Sequence, residues 1–264
     1  LYRLVGSEMC IRDSAKMNPI IEKTEGLITD RTRAIVLVSP NNPSGAIYSN
    51  QLLQKFFDLC KSNQIRLIID ETYKDFHPNA SQPHTLLENN NWDQVLTILY
   101  SFSKTYRMTG HRIGALLTSK ENLIEIEKAL DTFTVCPPQL GQYAANWGLN
   151  NLEAWAAERR TEILQRAKHF SEKFQPLSAA GWSLRGCGAY FAFVEHPFED
   201  ESNILAPLIL RDQGILLMPG TMFYPKHNPL GSRSFRIAFA NIDKNKISTL
   251  LERLKDLSYQ RLNS

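Results

Sequence analysis

Lys104 is the residue of this sequence whose position most needs a chemical explanation. It lies in SFSKTYRMTGHRIG, residues 101–114, directly after the apolar run VLTILY. Lysine is seldom buried without a partner, and a free lysine amine, with a pKa near ~10.4, is a weak nucleophile at neutral pH. Desolvation or a neighbouring cation favours the neutral amine, which can form a Schiff base with a carbonyl compound. Lys104 is therefore a candidate nucleophile, and a solvated loop is the alternative.

Ser101, Ser103 and Arg112 surround Lys104 with groups that suit a phosphate. A guanidinium binds phosphate in a forked geometry, and serine hydroxyls can donate to further oxygens. Ser101 and Lys104 also fit the S-x-x-K pattern of serine acyltransferases, but that chemistry needs SDN and KTG elements, which the sequence lacks. From these residues alone, a phosphate clamp and a solvated loop both remain open.

Asp70 and Tyr73 belong to DETYKDF, residues 70–76, which follows a second apolar run. A carboxylate there could bind magnesium beside a nucleotide, but the sequence has no G-x-x-x-x-G-K-[ST] loop to hold the phosphates. It could instead cap a helix, or pair with a cationic heterocycle such as a protonated pyridine nitrogen. In the last case Tyr73 would offer its phenol to the same ligand.

Asn42 lies in PNNPSG, residues 40–45, after a third apolar run. Asparagine, proline and glycine are turn formers, and most such runs are only turns. An asparagine amide at this point could also donate a hydrogen bond to a phenolate oxygen of a ligand.

The elements that carry these residues follow from the apolar pattern. Short β-branched runs at 33–40 and 65–70 predict buried strands, and further strands are predicted at 95–102 and 113–119. Residues 49–63 show helical spacing, with Ser49 or Asn50 as the N-cap. Strand, helix, strand at this pitch predicts parallel strands, whose ligands gather at the carboxyl ends. The three polar segments should therefore meet at one edge of a sheet.

The rest of the chain has a different pattern. Helical spacing runs from 121 to 129 and from 139 to about 174, the latter long enough to link two domains. Short strands separated by turns follow, and then a terminal amphipathic helix. The apolar face of this helix comprises Ile247, Leu250, Leu251, Leu254 and Leu257. These features predict a smaller α+β domain.

Composition excludes several classes of protein. The 264 residues carry a net charge of +3, which is too small to indicate a nucleic-acid partner. No apolar run approaches the ~18 residues of a membrane span. The cysteines, Cys10, Cys60, Cys136 and Cys187, form no CxxC pair, which argues against a metal site or disulfides and favours a cytoplasmic location. Residues 1–14 fit no element, and we predict that they are translated adapter sequence foreign to the fold.

Four motifs together resemble the class I and II aminotransferases, the fold-type I enzymes that depend on pyridoxal 5′-phosphate (PLP). They are SPNNPSG (39–45), DETYKDF (70–76), SFSKTYRMTGHRIG (101–114) and SFRIAFA (234–240). The resemblance implies an α/β fold in which residues 15–150 form part of a large PLP-binding domain with a mostly parallel sheet. Residues 151–264 would supply an interdomain helix and a smaller C-terminal domain.

The resemblance also assigns the cofactor contacts. Lys104 would form the Schiff base with PLP and later move the proton at the substrate Cα. Asp70 would keep the pyridine nitrogen protonated, which makes the ring an electron sink. Asn42 and Tyr73 would hold the phenolic oxygen of the cofactor, and Asn42 would also lie beside the substrate. The Asn42–Pro43 bond is expected to be cis.

The remaining assignments concern the phosphate and the substrate. Ser101 and Arg112 would clamp the phosphate with Ser103 close by, and Arg236 would bind the substrate α-carboxylate as a forked ion pair. Arg236 lies in an alternating strand, so an exposed residue of the sheet is the other interpretation.

The resemblance predicts an aminotransferase that exchanges an amino group between an L-amino acid and a 2-oxo acid. A PLP-dependent lyase or decarboxylase, and a non-catalytic sensor of the same fold, are the alternatives. A homodimer is expected for the full-length protein. The chain lacks the N-terminal segment typical of the family, with its glycine-rich phosphate loop, so we do not expect the chain alone to be fully active. The substrate side chain is not predicted.

Overall fold

The computed structural model describes residues 17–226 and 228–262, with side chains to Leu257. The segment 1–14, which we predict to be foreign, lies outside these residues. The described chain forms two compact units. The first comprises residues 21–40 and 47–161, and the second comprises residues 17–20, 41–46 and 162–262.

The first unit contains a four-stranded sheet. Its elements are α1 (Ile21–Glu25), β1 (Ala34–Val38), α2 (Asn50–Ser62), β2 (Arg66–Asp70), α3 (Trp92–Val95), β3 (Leu96–Ser101), β4 (Gly114–Leu117), α4 (Lys120–Phe133) and α5 (Gln139–Asn151). The strand order is β1-β2-β3-β4; the first three strands are parallel and β4 is antiparallel to β3. The four predicted strands and the mostly parallel sheet are confirmed.

Helix α2 shows why this unit folds as its sequence predicts. Ser49 is the N-cap, since its side chain accepts a hydrogen bond from the backbone N–H of Leu52. The apolar positions of the helix, including Phe56 and Phe57, are buried. Burial also raises the pKa of the Cys60 thiol to about 12, so this cysteine stays protonated and unreactive.

The predicted helical run from 139 to about 174 is interrupted. Helix α5 ends at Asn151, and α6 (Glu153–Lys173) begins after Leu152, which has φ −112° and ψ 22°. The side-chain amides of Asn150 and Asn151 donate to the backbone oxygens of residues four positions earlier. Asparagine is a weak helix former because its side chain competes for backbone groups, and two in succession favour the break.

The second unit contains an antiparallel sheet flanked by helices. After α6 its elements are α7 (Gln175–Ala179), β5 (Ser183–Gly188), β6 (Phe191–Glu195), α8 (Ser202–Gln213), β7 (Met218–Pro219), α9 (Pro229–Ser232), β8 (Ser234–Ala238) and α10 (Lys244–Leu262). The strand order is β5-β6-β8-β7. Ile247, Leu251, Leu254 and Leu257 of α10 are buried in a core with Trp182 and Phe235, as the amphipathic pattern predicts.

Candidate active site

The carboxyl ends of β2 and β3 bring most of the predicted site residues to one edge of the first unit. The two strands are parallel neighbours, with Asp70 opposite Leu99. The last residues of these strands and the segments that follow them carry six of the predicted residues, Asp70, Tyr73, Ser101, Ser103, Lys104 and Arg112. This edge is where ligands bind in open α/β sheets.

Asp70 is the last residue of β2 and is half-buried. Its Oδ1 accepts a hydrogen bond of 2.9 Å from the backbone N–H of Thr72. Its backbone oxygen accepts from Ser39 at the end of β1. The carboxylate is thus oriented by a local turn and begins no α-helix, contrary to the simple helix-capping interpretation.

Lys104 lies close to Tyr73. The Nζ atom is 5.8 Å from the centroid of the tyrosine ring, within cation–π range. Tyr73 is 5% exposed, whereas Lys104 is half-buried. The structure therefore brings an amine and a phenol from two successive polar segments together, and the contacts of both with a cofactor stay a prediction.

Ser101, Ser103 and Arg112 lie around the end of β3. The Oγ atom of Ser101 accepts from the backbone N–H of Ser103 at 3.2 Å. Ser101 pairs with Gly114 of β4, and Phe102 N–H donates to the backbone oxygen of Ile113, so the chain returns past the serines just after Arg112. Arg112 is exposed, has the left-handed φ of 54°, and donates to the Thr109 oxygen.

The left-handed backbone of Arg112 is shared by six other non-glycine residues of the described chain, among them Arg107 in the same segment. The conformation alone therefore assigns Arg112 no ligand, and its contact with a phosphate stays a prediction.

Asn42 and Arg236 belong to the second unit. Arg236 Nη1 donates to Asn42 Oδ1 at 2.8 Å, and Nη2 contacts the sulfur of Met218 at 2.6 Å. The guanidinium carbon lies 4.6 Å from the ring centroid of Phe191 and 5.0 Å from that of Phe223. Arg236 is therefore half-buried and held by two aromatic rings, which argues against the interpretation as an exposed residue of the sheet.

The turn that presents Asn42 is tightly built. Asn41 Oδ1 accepts from both the backbone N–H and the hydroxyl of Ser44. Gly45 has φ 70°, and a Cβ there would lie 2.6 Å from the backbone nitrogen of Gly188. Only glycine fits this position without a backbone shift. The Asn42–Pro43 bond is cis, as predicted, and Ser39–Pro40 is cis as well.

The structure adds residues that the sequence did not single out. Asp75 accepts hydrogen bonds from the hydroxyls of Tyr100 and Thr105, beside Lys104. His84 and Glu71 form a buried pair, with Nε2 and Oε1 2.5 Å apart. The proximity of Asp75 to Asp70 in DETYKDF was the available signal, but a carboxylate in a loop is usually solvated, so sequence alone gave it no role.

Comparisons with known proteins agree with this architecture. The family model for aminotransferase class I and II matches residues 2–254. An aspartate aminotransferase of Thermotoga maritima is 26% identical over 252 residues, which are 94% of this chain and 62% of that protein. An alanine aminotransferase of Mycobacterium bovis is 30% identical over 219 residues, covering 78% of this chain and 50% of that protein.

A solved structure shows the same fold. The aromatic aminotransferase of Pyrococcus horikoshii superposes with a TM-score of 0.81 at 24% identity, over 93% of this chain and 65% of that one. The fold-type I class that the motifs predict is thereby confirmed. This chain spans less than two thirds of the length of these three proteins. Since the family match extends over nearly the whole chain, the protein belongs to the class I and II aminotransferase family.

Proposed function

We propose that the protein is a PLP-dependent aminotransferase that exchanges an amino group between an amino acid and a 2-oxo acid. The observation that carries the proposal is the closeness of Lys104 to Tyr73, with Asp70 at the carboxyl end of the parallel strand next to β3. Membership of the family supports the same reaction class.

The donor set of the first unit fits PLP. The cofactor, when bound, supplies an aldehyde that links to amines and a protonated ring that withdraws electrons from the substrate Cα. Ser101, Ser103 and Arg112 offer hydroxyl and guanidinium donors for a phosphate. Asp70 offers a carboxylate, oriented by its turn, for a protonated ring nitrogen, and Tyr73 offers a phenol.

Lys104 has two tasks in this proposal. Its amine would tether the cofactor, and the same amine would hold and move the proton at the substrate Cα. A base can do this only within hydrogen-bond reach of that proton, so the flexible side chain must be restrained. The Tyr73 ring face beneath the amine supplies one restraint.

Arg236 binds the substrate α-carboxylate in this proposal. A guanidinium recognises a carboxylate through two parallel hydrogen bonds, and its plane must therefore be fixed. Phe191 and Phe223 lie against it, and Asn42 accepts from one end of the fork. Rotation of the guanidinium is thus restricted before the substrate arrives, which lowers the entropic cost of binding.

The experiment uses protein from the complete coding sequence, loaded with PLP and assayed with pairs of amino and 2-oxo acids. Lys104→Ala should abolish transfer. Lys74→Ala is the matched control, because Lys74 also lies over an aromatic ring, 6.0 Å from that of Tyr100, yet has no proposed catalytic task. Release of the α-carboxyl carbon, or full activity of Lys104→Ala, would contradict the proposal.

The full-length protein is further proposed to be a homodimer. Residues 132–152 contain no charged side chain, although many of them lie on the surface of the first unit. Phe133 is 86% exposed and Leu140 81% exposed, with Val135, Tyr143 and Trp147 also exposed. Apolar surface of this extent marks interfaces, and depletion of charge is typical of interfaces between identical copies.

A cytoplasmic location is proposed as well. The three cysteines in the described part of the chain are free thiols, as a reducing compartment favours. Among residues 17–226 and 228–262, no helix has the length and apolar character needed to cross a membrane.

A further inference from the structure

Asp75 joins the two polar segments of the first unit. It lies in the short 3-10 helix Lys74–Phe76 that follows β2, and its carboxylate is half-buried. One oxygen, Oδ2, accepts both from the phenol of Tyr100, in a short hydrogen bond, and from the hydroxyl of Thr105 at 2.8 Å. A single atom therefore holds residues on both sides of the end of β3.

These contacts lie beyond the point where the backbone ladder between the strands stops. Its last bond runs from the backbone N–H of Glu71 to the oxygen of Leu99, at 2.8 Å. Past this bond the pairing between β2 and β3 ends, although β3 stays paired with β4 as far as Ser101. The chain after β2 carries Tyr73, and the chain after β3 carries Lys104. Asp75 lies two residues after Tyr73 in the first of them. It accepts from Thr105, the neighbour of Lys104 in the second, and so connects the two again.

We propose that Asp75 is a positioning residue, which fixes the backbone of Lys104 relative to Asp70 and Tyr73 so that the amine is held at the reacting atoms. This inference rests on the proposed function, since it concerns the amine that would bind PLP. Asp75 touches neither cofactor nor substrate in this account and acts through Thr105 and Tyr100.

The chemistry of the cluster favours a durable restraint. A carboxylate is the strongest acceptor that a side chain can offer to hydroxyl groups. Burial and the neighbouring Asp75 charge raise the pKa of the Tyr100 phenol, so it remains a donor at every physiological pH. Thr105 is 1% exposed, so water cannot readily replace Asp75 as its partner.

The test measures the rate at which the Lys104 amine captures PLP, separately from the turnover of the amino acid. The apo protein is mixed with PLP, the link is reduced with borohydride, and the rate of Lys104 modification is followed by peptide mass spectrometry. Asp75→Ala should slow this rate and kcat about 10-fold, while KM for the amino acid changes less than about twofold. Asp75→Asn keeps an acceptor and should recover part of the rate.

A double-mutant cycle separates positioning from general damage. Thr105→Val should slow capture about fivefold in the wild type and have no further effect in Asp75→Ala, because its partner is already absent. Equal capture rates in Asp75→Ala and wild type, or additive effects in the cycle, would overturn the inference. If Asp75→Ala does not fold, Thr105→Val and Tyr100→Phe decide it. Absence of any Lys104 adduct in the wild type would instead overturn the proposed function, and the inference with it.

Discussion

At the scale of single residues, the guanidinium of Arg236 is restrained on its faces and at one end. Aromatic rings lie 4.6 and 5.0 Å from it, and Asn42 accepts from one nitrogen at 2.8 Å. A lysine in its place would keep the charge but lose the planar fork and its stacking.

Arg236→Lys should therefore lower kcat/KM for the amino acid by about 10- to 100-fold, the value of one lost charge-assisted hydrogen bond. PLP affinity, measured by titration of the apo protein, should not change. Arg233→Lys is the control, because Arg233 lies in the same sheet region but is exposed and has no proposed contact with the substrate. Its Nε atom is 3.9 Å from Oε1 of Glu195. Equal losses in both variants would refute the carboxylate role.

At the scale of elements, the sheet of the second unit carries a buried titratable group at the end of β6. His196 is 1% exposed and packs against Trp182, Phe198 and Phe235. Its Nε2 donates to the backbone oxygen of Ser232 at 3.1 Å. Burial lowers its pKa from 6.5 to about 4; the Arg233 charge acts in the same direction, and the Ser232 hydrogen bond and Asp200 oppose it.

Acid should therefore destabilise this unit. A histidine that stays neutral in the fold is protonated first in the unfolded chain, so stability is complete above pH 6.5 and falls as the pH drops toward 4. The free energy of unfolding should fall by about 3 kcal/mol over this range. Urea unfolding at a series of pH values, monitored by tryptophan fluorescence, measures the fall. His196→Phe should remove this pH dependence of the free energy of unfolding. An unchanged pH dependence in that variant would show that His196 does not cause it.

How far the elements follow from the sequence depends on whether local residues decide them. Three parallel strands and α2 were predictable because β-branched runs and the Ser49 cap act locally. The antiparallel direction of β4 was not predictable, since it depends on pairing with β3. The break at Leu152 was not predictable either, since it depends on the competition of asparagine side chains for backbone groups. The closeness of Lys104 and Tyr73 was predictable from the order of the strands and polar segments. The role proposed for Asp75 was not, because it needed the positions of Tyr100 and Thr105 from another segment.

At the scale of the whole molecule, the apolar surface of α4 and α5 governs the expected assembly. Leu140→Lys should weaken the proposed homodimer at least about 10-fold, because it buries a charge in an apolar interface. Light scattering coupled to gel filtration measures the dimer fraction against concentration. Leu216→Lys is the matched control, since Leu216 is 79% exposed but lies in the second unit. A monomeric wild type, or equal weakening in both variants, would contradict this interface.

In the proposed function, Lys104 is the amine that carries the cofactor. The most direct measurement treats the protein with one equivalent of PLP, reduces it with borohydride, and maps the modified lysine by peptide mass spectrometry. We expect modification at Lys104 and none at the neighbouring Lys74. Modification at another lysine, or none at all, would contradict it.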